Sequence, residues 1–248
     1  MEIIKILHET PNYLVISKPV GIAVHPGADR ESYTIHHWLL QKYPEIEKLP
    51  WKTKNRIGII HRLDKDTSGI MLLAKTPEAL DFFQDQFRAR KVEKYYTALV
   101  FGKLKPAHGF IDVLIKRDPK DRKRQKAEMI DFGFDEAEKK NSSTEYWVKK
   151  TYNYEGQVLS LLLVRIYTGR KHQIRTHMKF EGTPVMGDSL YFTKPSRRLS
   201  RELGLNRQFL HATKLKIKDF ETKKPIEFED KLSQDLQKVL DNLSTLQL

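Results

Sequence analysis

A polar stretch, His61-Arg62-Leu63-Asp64-Lys65-Asp66-Thr67-Ser68-Gly69, lies between two strongly apolar runs, Ile57-Gly58-Ile59-Ile60 and Ile70-Met71-Leu72-Leu73-Ala74. Short apolar runs bounded by turn residues read as buried strands. The polar stretch is then a loop clamped at both ends by core, and the chain around it has to build a sheet. Loops pinned to rigid elements hold chemical groups most accurately. This one gathers an imidazole, a guanidinium, carboxylates and hydroxyls, although locally Asp64 or Asp66 serves equally well to cap a turn with Ser68-Gly69.

The flanking sequence supplies the rest of an α+β pattern. Tyr13-Leu14-Val15-Ile16 reads as a strand ended by the turn Lys18-Pro19-Val20-Gly21. Tyr95–Phe101 and Val158–Tyr167 are rich in aromatic and branched residues and read as further strands. Thr34 caps a helix with Ile35, Trp38 and Leu39 on one face, ending before Pro44. Thr76-Pro77-Glu78 opens a second helix with Leu80, Phe83 and Phe87 as its stripe. Arg170 to Glu181 reads as a third, and Leu232, Leu236, Val239, Leu240 and Leu243 mark a C-terminal helix that packs on the core. No repeat or domain boundary stands out, so one domain over 1–248 is expected, with 131–143 as a possible mobile insert.

Composition narrows the chemistry. With no cysteine among 248 residues, disulfides, thiolate metal sites and thiol nucleophiles are excluded, and a reducing cytoplasm is the expected compartment. No apolar stretch approaches the roughly 20 residues of a membrane span. Nucleotide-binding glycine motifs and the serine-hydrolase elbow do not occur. A net charge of +13 points to a polyanionic partner, most economically nucleic acid.

The charge is gathered. Residues 116–126 hold seven cations, Arg122, Lys123 and Arg124 among them, against two acids, and 193–218 hold eight against one. Between these stretches, Thr168-Gly169-Arg170-Lys171-His172-Gln173-Ile174-Arg175-Thr176-His177 sets cations at a helix start, where free N–H groups favour phosphate. His172, Arg175 and Thr176 share a face there, and Arg175 is placed to reach a buried carboxylate. His172 and His177 stand about 140° apart round a helix, which excludes a zinc pair at i, i+4.

The 61–69 loop resembles the signature H-R-L-D-x-x-T-S-G of the RluA-type RNA pseudouridine synthases. In the same order come Lys18-Pro19-x-Gly21 with Val24-His25-Pro26, then Lys94-x-Tyr96-x-Ala98-x-Val100-x-Gly102, and then Gly169-Arg170-x-His172-Gln173-Ile174-Arg175-x-His177. Gly182-x-Pro184, Gly187-Asp188, Tyr191 and Leu210-His211-Ala212 follow. The resemblance covers roughly residues 10–215 and implies a bent, mainly antiparallel central sheet with flanking helices and the site in a cleft across it. It implies isomerisation of uridine to pseudouridine in structured ribosomal or transfer RNA, with no cofactor and no metal: the N1–C1′ bond breaks, the uracil rotates and C5 rejoins C1′. Asp64 is then the catalytic carboxylate, as nucleophile or as base at the 2′ position. Arg175 pairs with it, Arg170 being the alternative partner, and Tyr96 stacks on the target base. Arg62 enters the RNA stack when the uridine flips out. Lys18, His61, Arg170 and His172, with Arg122, Lys123 and Arg124, are the further RNA-binding residues. The blocks leave no room for the separate S4-type domain of many relatives, so the catalytic domain itself is expected to grip RNA, as a monomer. The competing readings are a non-catalytic RNA-binding or chaperone protein using the same basic surface, and glycosidic cleavage without rejoining.

Overall fold

The computed structural model describes residues 4–26, 33–129 and 141–245. In chain order the elements are β1 (Lys5–Glu9), β2 (Tyr13–Lys18), α1 (Ile35–Lys42), β3 (Ser68–Ala74), α2 (Pro77–Arg88), β4 (Glu93–Phe101), β5 (His108–Arg117), β6 (Gln125–Glu128), β7 (Asn141–Tyr154), β8 (Gln157–Ile166), α3 (Gln173–Phe180), α4 (Lys194–Glu202), β9 (Leu210–Lys218), β10 (Pro225–Glu229) and α5 (Gln234–Thr245). This is the α+β class, built on mainly antiparallel strands. The chain divides into two compact units, each assembled from two segments: Met1–Glu93 with Ala212–Lys231, and Lys94–His211 with Leu232–Leu248.

In the first unit the strand order is β1-β2-β3-β9, with β10 on β9. β2 and β3 pair antiparallel from Tyr13↔Ala74 to Lys18↔Gly69, and every residue of β3 is buried. A strand covered on both faces has no polar side to alternate with, hence the unbroken Ile-Met-Leu-Leu-Ala. Thr34 accepts from the His37 N–H and Thr76 from the Ala79 N–H, so both helix starts lie where the sequence puts them. Phe83 of α2 is fully buried, with Tyr13 edge-on to it at 5.0 Å.

In the second unit the order is β4-β8-β7-β5-β6. Alternation is visible here: Leu162, Val164 and Ile166 of β8 are buried while Leu161, Leu163 and Arg165 are half-exposed. α5 sets Leu236, Val239 and Leu243 into a cluster with Leu99, Leu159 and Phe209, so this helix belongs to the core of its unit.

Three expectations change. Ile57–Ile60 is buried but is no strand; Gly58 takes φ +70°, its carbonyl accepts from the Ala74 N–H, and only Ile59 bridges to β3. The third helix starts at Gln173 because His172 sits in the left-handed region at φ +57°, where a helix cannot begin earlier. Of the insert expected at 131–143, residues 131–140 lie outside the described residues, and Asn141–Ser143 open β7.

Leu236→Ala should cost the protein about 2–5 kcal/mol, as for a fully buried leucine. Lys238→Ala, on the exposed side of the same helix, should stay within about 0.5 kcal/mol by urea denaturation.

Candidate active site

The 61–69 loop is held from below by a buried cation. Lys18, the last residue of β2, is fully buried, and its ammonium donates to the carbonyls of Pro19 at 2.7 Å, Ile22 at 2.9 Å and Lys65 at 3.0 Å. An ammonium has three hydrogens, and three backbone oxygens lie within hydrogen-bond distance of this one. The Lys65 carbonyl also accepts from the Gly21 N–H at 3.0 Å, so the Lys-Pro-Val-Gly turn is stitched to the loop one residue beyond Asp64. The Asp64 carbonyl accepts from the Thr67 N–H at 3.1 Å, which closes the turn. Asp64 is left half-buried and Arg62 exposed. Gly69 ends the loop at φ +114°, where a Cβ would stand 2.3 Å from the Ala212 carbonyl oxygen of β9. No other residue fits.

Of the residues expected at RNA, Lys18 is fully buried and His61 is half-buried. Lys18 serves the loop, as described. His61 stacks on Phe87 with centroids 4.7 Å apart, and its Nε2 accepts from the Leu72 N–H at 3.0 Å, satisfying a donor of β3.

In the second unit the Gly-Arg-Lys-His-Gln-Ile-Arg segment is organised by Gln173. Its Oε1 accepts from the Thr168 hydroxyl at 2.7 Å and the Arg170 N–H at 3.0 Å, while its Nε2 donates to the Ser143 carbonyl and the Thr144 hydroxyl, each at 3.0 Å. The amide is saturated and fixes the approach to α3. Arg175, on α3, is buried and forms a two-pronged pair with Asp188: Nε to Oδ2 at 2.6 Å and Nη2 to Oδ1 at 2.9 Å. Asp188 also accepts from the N–H groups of Leu190 and Tyr191. Asp188 is thus one buried carboxylate that Arg175 reaches. Tyr96 of β4 lies opposite Val164 of β8 on the buried side of the strand. Arg170 and His172 are half-exposed.

His177 is a core residue. Ser142 donates to the Val113 carbonyl at 2.7 Å, so it accepts from His177 Nε2 at 2.9 Å; Nδ1 has no partner among the described residues. Burial lowers its pKa from the ordinary 6.5 to about 4.

The two basic stretches differ on inspection. In the 116–126 hairpin the acids shape the loop: Asp118 accepts from the Lys120 N–H and Asp121 from the Lys123 N–H, both at 2.9 Å. Arg124 turns back to Asp121 at 3.2 Å, while Arg117, Lys120, Arg122 and Lys123 stand exposed. The 193–218 stretch is not one surface. Lys214 and Lys216 on β9 pair with Glu227 and Glu229 on β10, and Arg207 is buried against Asp235 at 2.7 Å. Those acids lie outside the stretch in sequence. Its remaining cations are concentrated on α4, with Lys194, Arg197, Arg198 and Arg201. Asp188, Gln173 and Tyr191 are the structurally central residues that residue chemistry did not single out; only their place in the ordered blocks marked them.

His177 carries a pH signature. Between its folded value of about 4 and the unfolded 6.5 the unfolded chain binds a proton that the folded chain does not, so stability falls as pH drops through that window. From pH 7 to 4.5 the wild type should lose about 2 kcal/mol more than His177→Gln, read from urea midpoints. Lys18→Met should cost about 2–3 kcal/mol at any pH in that range, because three buried carbonyls lose a charged donor.

Comparison with known proteins gives the family and the fold. The family pattern described as RNA pseudouridylate synthase matches residues 12–180. An RNA pseudouridine synthase of Aquifex aeolicus is 38% identical over 236 residues, covering 91% of this chain and 71% of its own. A ribosomal large subunit pseudouridine synthase D of Xanthomonas campestris is 36% identical over 97% of this chain and 69% of its own. Among solved structures, human RNA pseudouridylate synthase domain containing 4 superposes with a TM-score of 0.74 at 26% identity, over 97% of this chain and 93% of that one. With the signature loop intact and its anchors in place, the chain belongs to the RNA pseudouridylate synthase family, a family of isomerases.

Proposed function

We propose that this protein converts uridine to pseudouridine in the RNA of the large ribosomal subunit, with Asp64 as the catalytic carboxylate. The observation that carries the reading is the 61–69 loop, complete in sequence and tied down on both sides of Asp64 while the aspartate stays half-exposed. Relatives named for the large ribosomal subunit support the substrate.

In the proposed reaction the N1–C1′ bond breaks, the uracil turns, C5 bonds C1′, and the C5 proton leaves as N1 takes one up. Asp64 acts at the sugar, as nucleophile at C1′ or as base at the 2′ position. Tyr96 stacks on the base. Arg175 contributes a guanidinium already oriented by Asp188; two of its five N–H donors are spent there. Arg62, exposed on the loop, occupies the stack vacated by the flipped uridine. Arg122 and Lys123 on the hairpin, with Arg170 and His172 before α3, meet the RNA, chiefly its phosphates.

Wild type and Asp64→Asn, incubated with RNA from cells lacking the protein, should separate cleanly when pseudouridine is mapped by carbodiimide primer extension. Wild type should add sites in large-subunit RNA, and the variant should be slower by at least about a hundredfold while still binding. Equal turnover by both would sink the assignment of Asp64; sites in transfer RNA alone would move the substrate. The hairpin has its own test. Arg122→Ala/Lys123→Ala should flatten the slope of log affinity against log salt by about 1.5–2, and Arg124→Ala, already paired with Asp121, should change it least.

A further inference from the structure

The basic hairpin and α3 share one side chain. Tyr191 is buried, and its hydroxyl accepts from the backbone N–H of Gln125 at 2.5 Å, at the foot of the hairpin loop. The same oxygen lies 3.1 Å from His172 Nδ1, with the two rings edge to face and centroids 5.6 Å apart. With one hydrogen and two lone pairs, the hydroxyl holds the Gln125 N–H and the His172 ring nitrogen at the same time. The Arg175 guanidinium lies over the Tyr191 ring at 5.3 Å, and the Tyr191 N–H donates to Asp188, the partner of that arginine. One residue therefore touches the hairpin that presents Arg122 and Lys123, the residue that caps α3, and the arginine on it.

We propose that Tyr191 is a positioning residue that couples RNA docking on the β5–β6 hairpin to the placement of His172 and Arg175, so that the hairpin contributes to turnover as well as to affinity. The proposal rests on the functional reading above. Its physical basis is the economy of the contacts. A backbone amide at the hairpin foot moves with the loop, and its acceptor is the atom that orients His172 and the ring that supports Arg175. Coupling of this kind is reciprocal: whatever fixes the hairpin steadies α3, and whatever steadies α3 fixes the hairpin.

The test is a double-mutant cycle in single turnover on transcribed large-subunit ribosomal RNA. It uses wild type, Tyr191→Phe, Arg122→Ala/Lys123→Ala and the combination; Tyr191→Phe keeps the ring and removes only the hydroxyl. The hairpin variant should lower the saturating rate about tenfold in the wild-type background, the worth of about one hydrogen bond. In the Tyr191→Phe background, where the rate is already lowered by a similar factor, it should lower it no further, while half-saturation still rises in both. An equal rate factor in both backgrounds, or an effect on half-saturation alone, overturns the proposal. Amide exchange supplies a readout independent of turnover. RNA binding should slow exchange across 173–180 in wild type and not in Tyr191→Phe; equal slowing in both overturns the coupling. A wild type that makes no pseudouridine but shows the exchange coupling counts against the functional reading and leaves the coupling supported.

Discussion

A positive charge taken out of water has to find oxygen atoms inside the fold, and both units are organised around one such charge. Lys18 collects three backbone carbonyls, and Arg175 collects a carboxylate that is itself held by two N–H groups. Removing one partner of such an arrangement costs more than the bond itself, since the other is left buried without compensation. Each cation therefore fixes whatever carries its acceptors. For Lys18 this is the loop one residue past Asp64; for Arg175 it is the Gly187-Asp188 turn, where a Cβ on Gly187 would meet the Arg207 carbonyl oxygen at 1.9 Å.

The remaining cations are sorted by what the neighbouring strand or turn offers. On β9 they meet glutamates across the ladder with β10, and Glu227 is held down at about 2 by hydrogen bonds from Lys214 and Lys216. On the β5–β6 hairpin the two loop acids are spent on backbone N–H groups, so Arg122 and Lys123 are presented outward. Among the described residues the basic side chains thus include buried structural cations, paired strand cations and presented ones. Only the last kind attracts an RNA backbone at range.

This sorting marks where the sequence could be read and where it could not. Elements with a local cause were legible: caps at Thr34 and Thr76, the buried apolar run in β3, the β-branched and aromatic composition of β4 and β8, and the leucine stripe of α5. Features with a partner far along the chain were not. The glutamates that neutralise Lys214 and Lys216 follow in the next strand, and the division into two units escapes a linear reading because each unit takes two segments. Lys18 has the chemistry of an RNA contact, and only its burial and its three carbonyl partners show that it holds the loop. Ile57–Ile60 has strand composition, but Gly58 at φ +70° takes it out of the ladder. The family signature singled out Asp64 as the candidate, whereas Asp188, Gln173 and Tyr191 acquire their importance from hydrogen bonds that no spacing encodes.

The account rests on an isomerisation at Asp64, and the fate of the C5 hydrogen reports that step directly. RNA tritiated at uracil C5 should lose tritium to water with wild-type protein in equal amount to the pseudouridine formed, with the chain intact and no free uracil, and Asp64→Asn should release almost none. Free uracil would show cleavage without rejoining, and tritium retained on RNA that the protein binds tightly would show a binding protein; either result would contradict the account.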